Sequence, residues 1–189
     1  MYAKMRSYVI TIWTILDPIY YFFTRLTYID DESNKNIFRV RLTRYKGKSC
    51  VLSDGTTIKK NDMLVKIHLH NVILLKELIG HQGETIKARI IYNQVKNSLP
   101  SLAKYLHNHP EQSYIKGIIG ITALNKGCRR LGFETHSISN KYYLLFKQVV
   151  FMPMYCLAVS NVSLKSLRRP PMYLFMSKNR LLDLYYKEE

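Results

Sequence analysis

In NIFRVRLTRY (36–45) apolar and polar positions alternate with period two. Phe38, Val40 and Leu42 fall on one side, Arg39, Arg41 and Thr43 on the other. Successive side chains of a strand point to opposite faces, so the pattern predicts a half-buried strand. MLVKIHLHN (63–71) repeats it, with Met63, Val65, Ile67 and Leu69 on the apolar side and Lys66, His68 and His70 opposite. Between them Lys46-Gly47-Lys48, Asp54-Gly55 and Asn61-Asp62 are turn signals around two short strands, SCVL (49–52) and Thr56 to Ile58. An antiparallel meander from 36 to 70 is expected.

The pattern then turns helical. Asn71 is placed to cap a short helix, VILLKELIG, and GHQG (80–83) is a loop. Over 84–109, Ile86, Ile90, Ile91, Val95, Leu99, Leu102, Ala103 and Leu106 recur at helical spacing, with Pro100 as a kink or break. YIKGIIGIT (114–122) is almost continuously apolar and predicts a strand buried on both faces. A helix capped by Thr122 and ended by Gly132 leads to a strand, FETHSI (133–138), and together these suggest one βαβ unit added to the meander. A helix over about 141–158, a basic connector Arg168-Arg169-Pro170-Pro171, a strand MYLFM and a helix capped by Ser177 complete the chain.

Two segments raise the question of a membrane. YVITIWTILDPIYYFF (8–23) is apolar but is interrupted at its centre by Asp17-Pro18. A charge there costs about 2.5–3.5 kcal/mol on insertion scales, so two short helices are expected, with Asp17 as cap and Pro18 in the first position. Trp13, Tyr20, Tyr21, Phe22 and Phe23 suit either core packing or a headgroup interface, with a true span as the remaining alternative. VVFMPMYCLAV (149–159) is too short to cross a bilayer and is expected to be a buried helix. The expected fold is thus α+β: an apolar N-terminal helical hairpin (1–29), then a single domain (30–189) with a mainly antiparallel sheet and flanking helices.

Charge sharpens the functional question. Over 189 residues, 29 Lys and Arg stand against 13 Asp and Glu, giving a formal net charge of +16. Such a field attracts anions, whether nucleic acid, anionic lipid or an envelope phosphate polymer. The three cysteines, Cys50, Cys128 and Cys156, form no CxxC, and no disulfide partner is expected. If the strands 36–45 and 63–70 share a sheet, Arg39, Arg41, Lys66, His68 and His70 lie on one face. Asn71 and the helix N-terminus after it add donors, which together make a candidate anion site. Metal binding is not expected, because Asp62 lies too far along the strand and Lys66 repels a divalent ion. No cofactor is expected either.

No nucleophile elbow, HExxH or pair of suitably spaced carboxylates is present. The order meander, loop, helix, buried strand, helix and Leu131-Gly132-Phe133-Glu134 resembles the layout of the GNAT acetyltransferases. The resemblance makes an acyltransferase one alternative, although the helix VILLKELI intervenes where the pyrophosphate loop should follow the splayed strand. Nucleic-acid binding is the other alternative, through RRLG (129–132), SLRRPP (166–171) and KNR (178–180). Their tyrosine-rich surroundings follow no RNP or OB pattern.

Leu16-Asp17-Pro18-Ile19-Tyr20, Leu52-Ser53-Asp54-Gly55-Thr56, Asn61-Asp62, His68-Leu69-His70-Asn71, Gly120-Ile121-Thr122 and Leu131-Gly132-Phe133-Glu134 together resemble a small bacillus family, the YkoP-like proteins. The resemblance covers nearly the whole chain. Asn61 departs from the expected Gly before Asp62, but Asn also tolerates positive φ. Related domains resemble segments that accompany polysaccharide deacetylases in Gram-positive bacteria. The resemblance implies no transferable activity and no catalytic residue. It implies association with the cell envelope, in a cytoplasmic-face or membrane-bound setting. Joined with the charge and the aromatic N-terminal segment, it leads to the expectation of an accessory module at the cytoplasmic face of the bacterial membrane, with an anionic lipid or envelope polymer as partner and the cytoplasm as the alternative location.

Overall fold

The computed structural model describes residues 11, 26–29, 36–78, 81, 83–122, 127–158 and 170–187, without the side chains of 71, 72, 75 and 151–158. The apolar hairpin expected over 8–23, the basic connector at 168–169 and the first four residues of the expected helix at 123–131 lie outside these residues.

The fold is α+β. A six-stranded sheet has the order β1-β2-β5-β6-β8-β7. Its strands are β1 (Thr27–Tyr28), β2 (Phe38–Arg44), β5 (Met63–Leu69), β6 (Ile115–Thr122), β7 (Glu134–Ser137) and β8 (Met172–Ser177). All neighbours are antiparallel except β5 and β6. A separate two-stranded ribbon joins β3 (Cys50–Val51) to β4 (Thr57–Ile58). The helices are α1 (Asn71–Leu78), α2 (Glu84–His107), α3 (Lys141–Ala158) and α4 (Lys178–Tyr185), with a 3₁₀ turn at Cys128–Leu131.

The two alternating strands form and pair as their patterns require, in register from Phe38↔Leu69 to Arg44↔Met63. Their apolar sides meet α2 and α4. Phe38, Val40, Val65, Leu99, Leu102, Ala103, Leu106, Ile118, Met176 and Leu181 form one buried core. Pro100 does not break α2, which is continuous through it. Here Ser98 Oγ accepts the Ile37 N–H at 3.2 Å, tying the helix to the start of β2.

Two expectations are corrected. The meander is not continuous, because β2 pairs directly with β5 and the β3–β4 ribbon leaves the sheet. β6 and β7 do not form an adjacent βαβ pair, since β8 inserts between them. The parallel pair is β5 and β6, linked by α1 and α2. In addition, Thr27–Tyr28 adds an edge strand to β2.

The ribbon covers half of the second sheet face. Leu52 and Ile58 pack with Tyr45, Leu64, Ile119 and Phe175 in a second core. Asn61 carries the turn back into β5 at φ 71°, the positive value that Asn tolerates. The ribbon's tip is held at two points. Ser53 donates to Glu134 Oε1 from its N–H at 2.8 Å and its hydroxyl at 2.7 Å. Ser177 Oγ donates to Asp54 Oδ2 and accepts the Arg180 N–H at 3.0 Å, capping α4. Among the described residues, no helix is long and apolar enough to cross a membrane.

Candidate functional site

The register of β2 and β5 places Arg39 opposite His68 and Arg41 opposite Lys66, all on the second sheet face. β1 extends the row, with Tyr28 opposite Arg39. Arg39 is only 2% exposed. Its Nη2 donates to the Tyr28 hydroxyl at 2.7 Å, and its guanidinium lies 4.9 Å from the Tyr28 ring centroid. These contacts fix the guanidinium at the site's edge. His70 sits edge-on to the same ring at 5.8 Å, and its N–H donates to the Ile37 carbonyl at 2.7 Å. Asn71 is the first residue of α1, and its side chain lies outside the described residues.

A cation that sequence reasoning missed completes the cluster. Lys147 of α3 reaches the same place. Burial, then the charges of Lys147 and Arg41, pull the Lys66 ammonium from its ordinary 10.5 down to about 8. Burial and Arg41 also lower Lys147. The only hint in the sequence was a single lysine inside an apolar helical run.

His68 is pushed from 6.5 down to about 3, first by burial, then by Lys66, Arg41, Lys147 and Arg39. It is therefore neutral at physiological pH and adds no charge to the face. A neutral imidazole still offers one donor and one acceptor. Among the described residues no three His, Cys, Asp or Glu side chains are grouped to hold a metal ion. Cys50 and Cys128 carry no disulfide, and burial raises the Cys128 thiol to about 11, far from a reactive thiolate.

The charged face is smaller than an alternating pattern alone suggests. Leu64, on the same side of β5 as Lys66, lies under the ribbon with Ile119 and Phe175. Only the C-terminal half of β5, with β2 beside it, is cationic. That half adjoins a parting of the sheet. β5 and β6 pair from Met63↔Ile115 to Lys66↔Ile119, yet β5 runs on to Leu69 and β6 to Thr122. Crevices at the carboxyl ends of parallel strands are common ligand sites in α/β sheets. Here α1 starts at the end of β5 and is followed by Gly83, at φ 94°, before α2. A second, polar cleft of about 600 Å³ lies at the opposite end of this parallel pair, lined by Lys59, Asp62, Ser113, Lys116, Lys178 and Asn179 among others.

The whole chain has known relatives. The YkoP domain model matches residues 6–185. A protein of Bacillus subtilis (strain 168), named "Uncharacterized protein YkoP", is 48% identical over 185 residues, covering 98% of this chain and 100% of that protein. No solved structure matches. The turn Leu52-Ser53-Asp54-Gly55-Thr56, which carried part of the resemblance, is the tip pinned by Glu134 and Ser177. With a match across nearly its full length, the chain belongs to the YkoP domain family.

Proposed function

We propose that the protein is an accessory module that docks on an anionic surface of the bacterial envelope, on the cytoplasmic side of the membrane, and binds a phosphate-bearing lipid headgroup or polymer on its cationic sheet face. The observation that carries this is the convergence of Arg41, Lys66 and Lys147 from two strands and a helix onto one half-buried patch. A cluster of positive charges on one face attracts phosphate-bearing groups. His68 supplies a neutral hydrogen-bonding group among them, and Arg39 with Tyr28 stiffens the edge. Sedimentation with anionic vesicles at low salt tests the proposal. Binding that falls with salt and weakens in Arg41→Ala/Lys66→Ala supports it, and no binding at low salt ends it.

A second reading, an acyltransferase, draws on one feature of the sheet. An acyltransferase of GNAT-like layout needs a parallel pair that opens toward the thioester, and β5 and β6 stop pairing before either strand ends. The 3₁₀ turn ends at Gly132, φ 87°, immediately before Phe133, as in the resemblance. The intervening α1 is the feature that fits least well. A thermal shift and product formation with acetyl-CoA and an amine panel would favour this activity, and neither effect at millimolar acetyl-CoA would remove it.

A further inference from the structure

The described part of α3 leaves its outer side bare. Tyr142 is 86% exposed, Leu145 61%, Phe146 58%, Val149 60% and Val150 36%. Positions 142, 145, 146, 149 and 150 recur at i, i+3, i+4, i+7 and i+8, so they form one stripe along the helix. Tyr143, Leu144, Lys147 and Gln148 are less exposed and occupy the inner side. Lys147 belongs to this inner side and is the residue that meets Arg41 and Lys66. The helix therefore carries its apolar stripe outward and its ammonium toward the cationic sheet face.

We infer that this stripe is a docking surface for an anionic lipid bilayer, with α3 lying flat in the headgroup region. The inference rests on the proposed anion-binding function and names the element that makes contact. Several observations select lipid over other occupants. A contiguous run of large exposed apolar side chains marks an interaction surface. The 18 residues of α3 include no Asp or Glu. Exposed Lys141 begins the helix, and the Lys147 ammonium lies 5.6 Å from the ring centroid of Phe146 in the stripe. Lysines bordering an aromatic and aliphatic stripe are the pattern of helices that lie in an anionic interface. A second copy of the chain would bring another +16 against the same face, which disfavours self-association.

Vesicles of phosphatidylglycerol with phosphatidylcholine, vesicles of phosphatidylcholine alone, and soluble pyrophosphate distinguish the contributions. Leu145→Ser/Val149→Ser alters only exposed positions and adds no charge, and its thermal melt reports whether the fold is kept. This variant is expected to bind phosphatidylglycerol vesicles at least about tenfold more weakly, while its pyrophosphate affinity stays unchanged. Arg41→Ala/Lys66→Ala should lose pyrophosphate binding, and Phe146→Trp should show a fluorescence blue shift with anionic vesicles only. Undiminished vesicle binding by Leu145→Ser/Val149→Ser overturns the inference and leaves the anion site standing. A dimer in sedimentation equilibrium that this variant abolishes also overturns it, in favour of a second copy. Failure of the unaltered chain to bind either vesicle or pyrophosphate instead removes the anion-binding function on which it rests.

Discussion

At the scale of single residues, Lys66 and His68 control how the protein responds to pH. His68 has its folded value near 3, below the ordinary 6.5, so the unfolded chain binds more protons between these values. Its contribution to stability is fully present above about pH 6.5 and is lost as pH falls toward 3. A His68→Gln variant is expected to flatten the stability–pH curve across that window, an effect of the order of a few kcal/mol measurable by chemical denaturation. Lys66 is lowered from 10.5 to about 8. The stability linked to it is present above 10.5 and lost as pH falls through 8, so at neutral pH its charge is a net burden. Lys66→Met should raise stability at pH 7 by about 1–3 kcal/mol and weaken anion binding together, read by thermal melting and pyrophosphate titration. The alternation of 36–45 and 63–70 made the shared face of Arg39, Arg41, Lys66 and His68 legible in the sequence. The neutrality of His68, the burial of Arg39 and the arrival of Lys147 were not. Each depends on what packs above the strand, and Lys147 lies 81 positions from Lys66.

At the scale of elements, the β3–β4 ribbon is a clamp closed from outside. Its turn was readable, because Asp54-Gly55 demands a tight reversal and Gly55 sits at φ 83°. Its partners were not, since Glu134 and Ser177 come from strands far along the chain. Asp54→Ala removes the acceptor for Ser177 and for the Thr56 N–H, which it holds at 3.0 Å. A loss of about 1–3 kcal/mol is expected in denaturant titration. Faster amide exchange in residues 50–58 should accompany it, with β2 and β5 unaffected. Gly132 is constrained twice over. It holds φ 87°, and a methyl group there would meet Leu184 Cδ1 at 2.7 Å. Gly132→Ala should therefore cost about 1–3 kcal/mol, and enlarging the side chain to Val should cost more. For α3 the apolar run was legible and its helical state was correct. The exposure of Tyr142, Leu145, Phe146, Val149 and Val150 was not, because composition does not say which side of a helix is covered.

At the scale of the whole molecule, net charge and sheet order set behaviour that no single group explains. If the anionic-surface proposal holds, vesicle binding should vanish when salt is raised to about 0.5 M, where the screening length falls below about 5 Å. Binding that persists there would point to apolar contact alone. The strands themselves could be read one by one from periodicity, but periodicity carries no information on neighbours. That is why β8 was recognised as a strand and its position between β6 and β7 was not.

That position has a consequence for biogenesis. β8 emerges from the ribosome after every other strand described, and its backbone is the seam along which β6 and β7 join. Until residues 172–177 are available, β7 has no companion and Asp54 has no Ser177 to grip. A nascent chain halted at about residue 170 would present an unpaired, strongly apolar β6 edge, and recovery in the insoluble fraction is the expected fate of such a fragment. Commitment to the native state is thereby deferred until residue 177 has been made, after every other strand described.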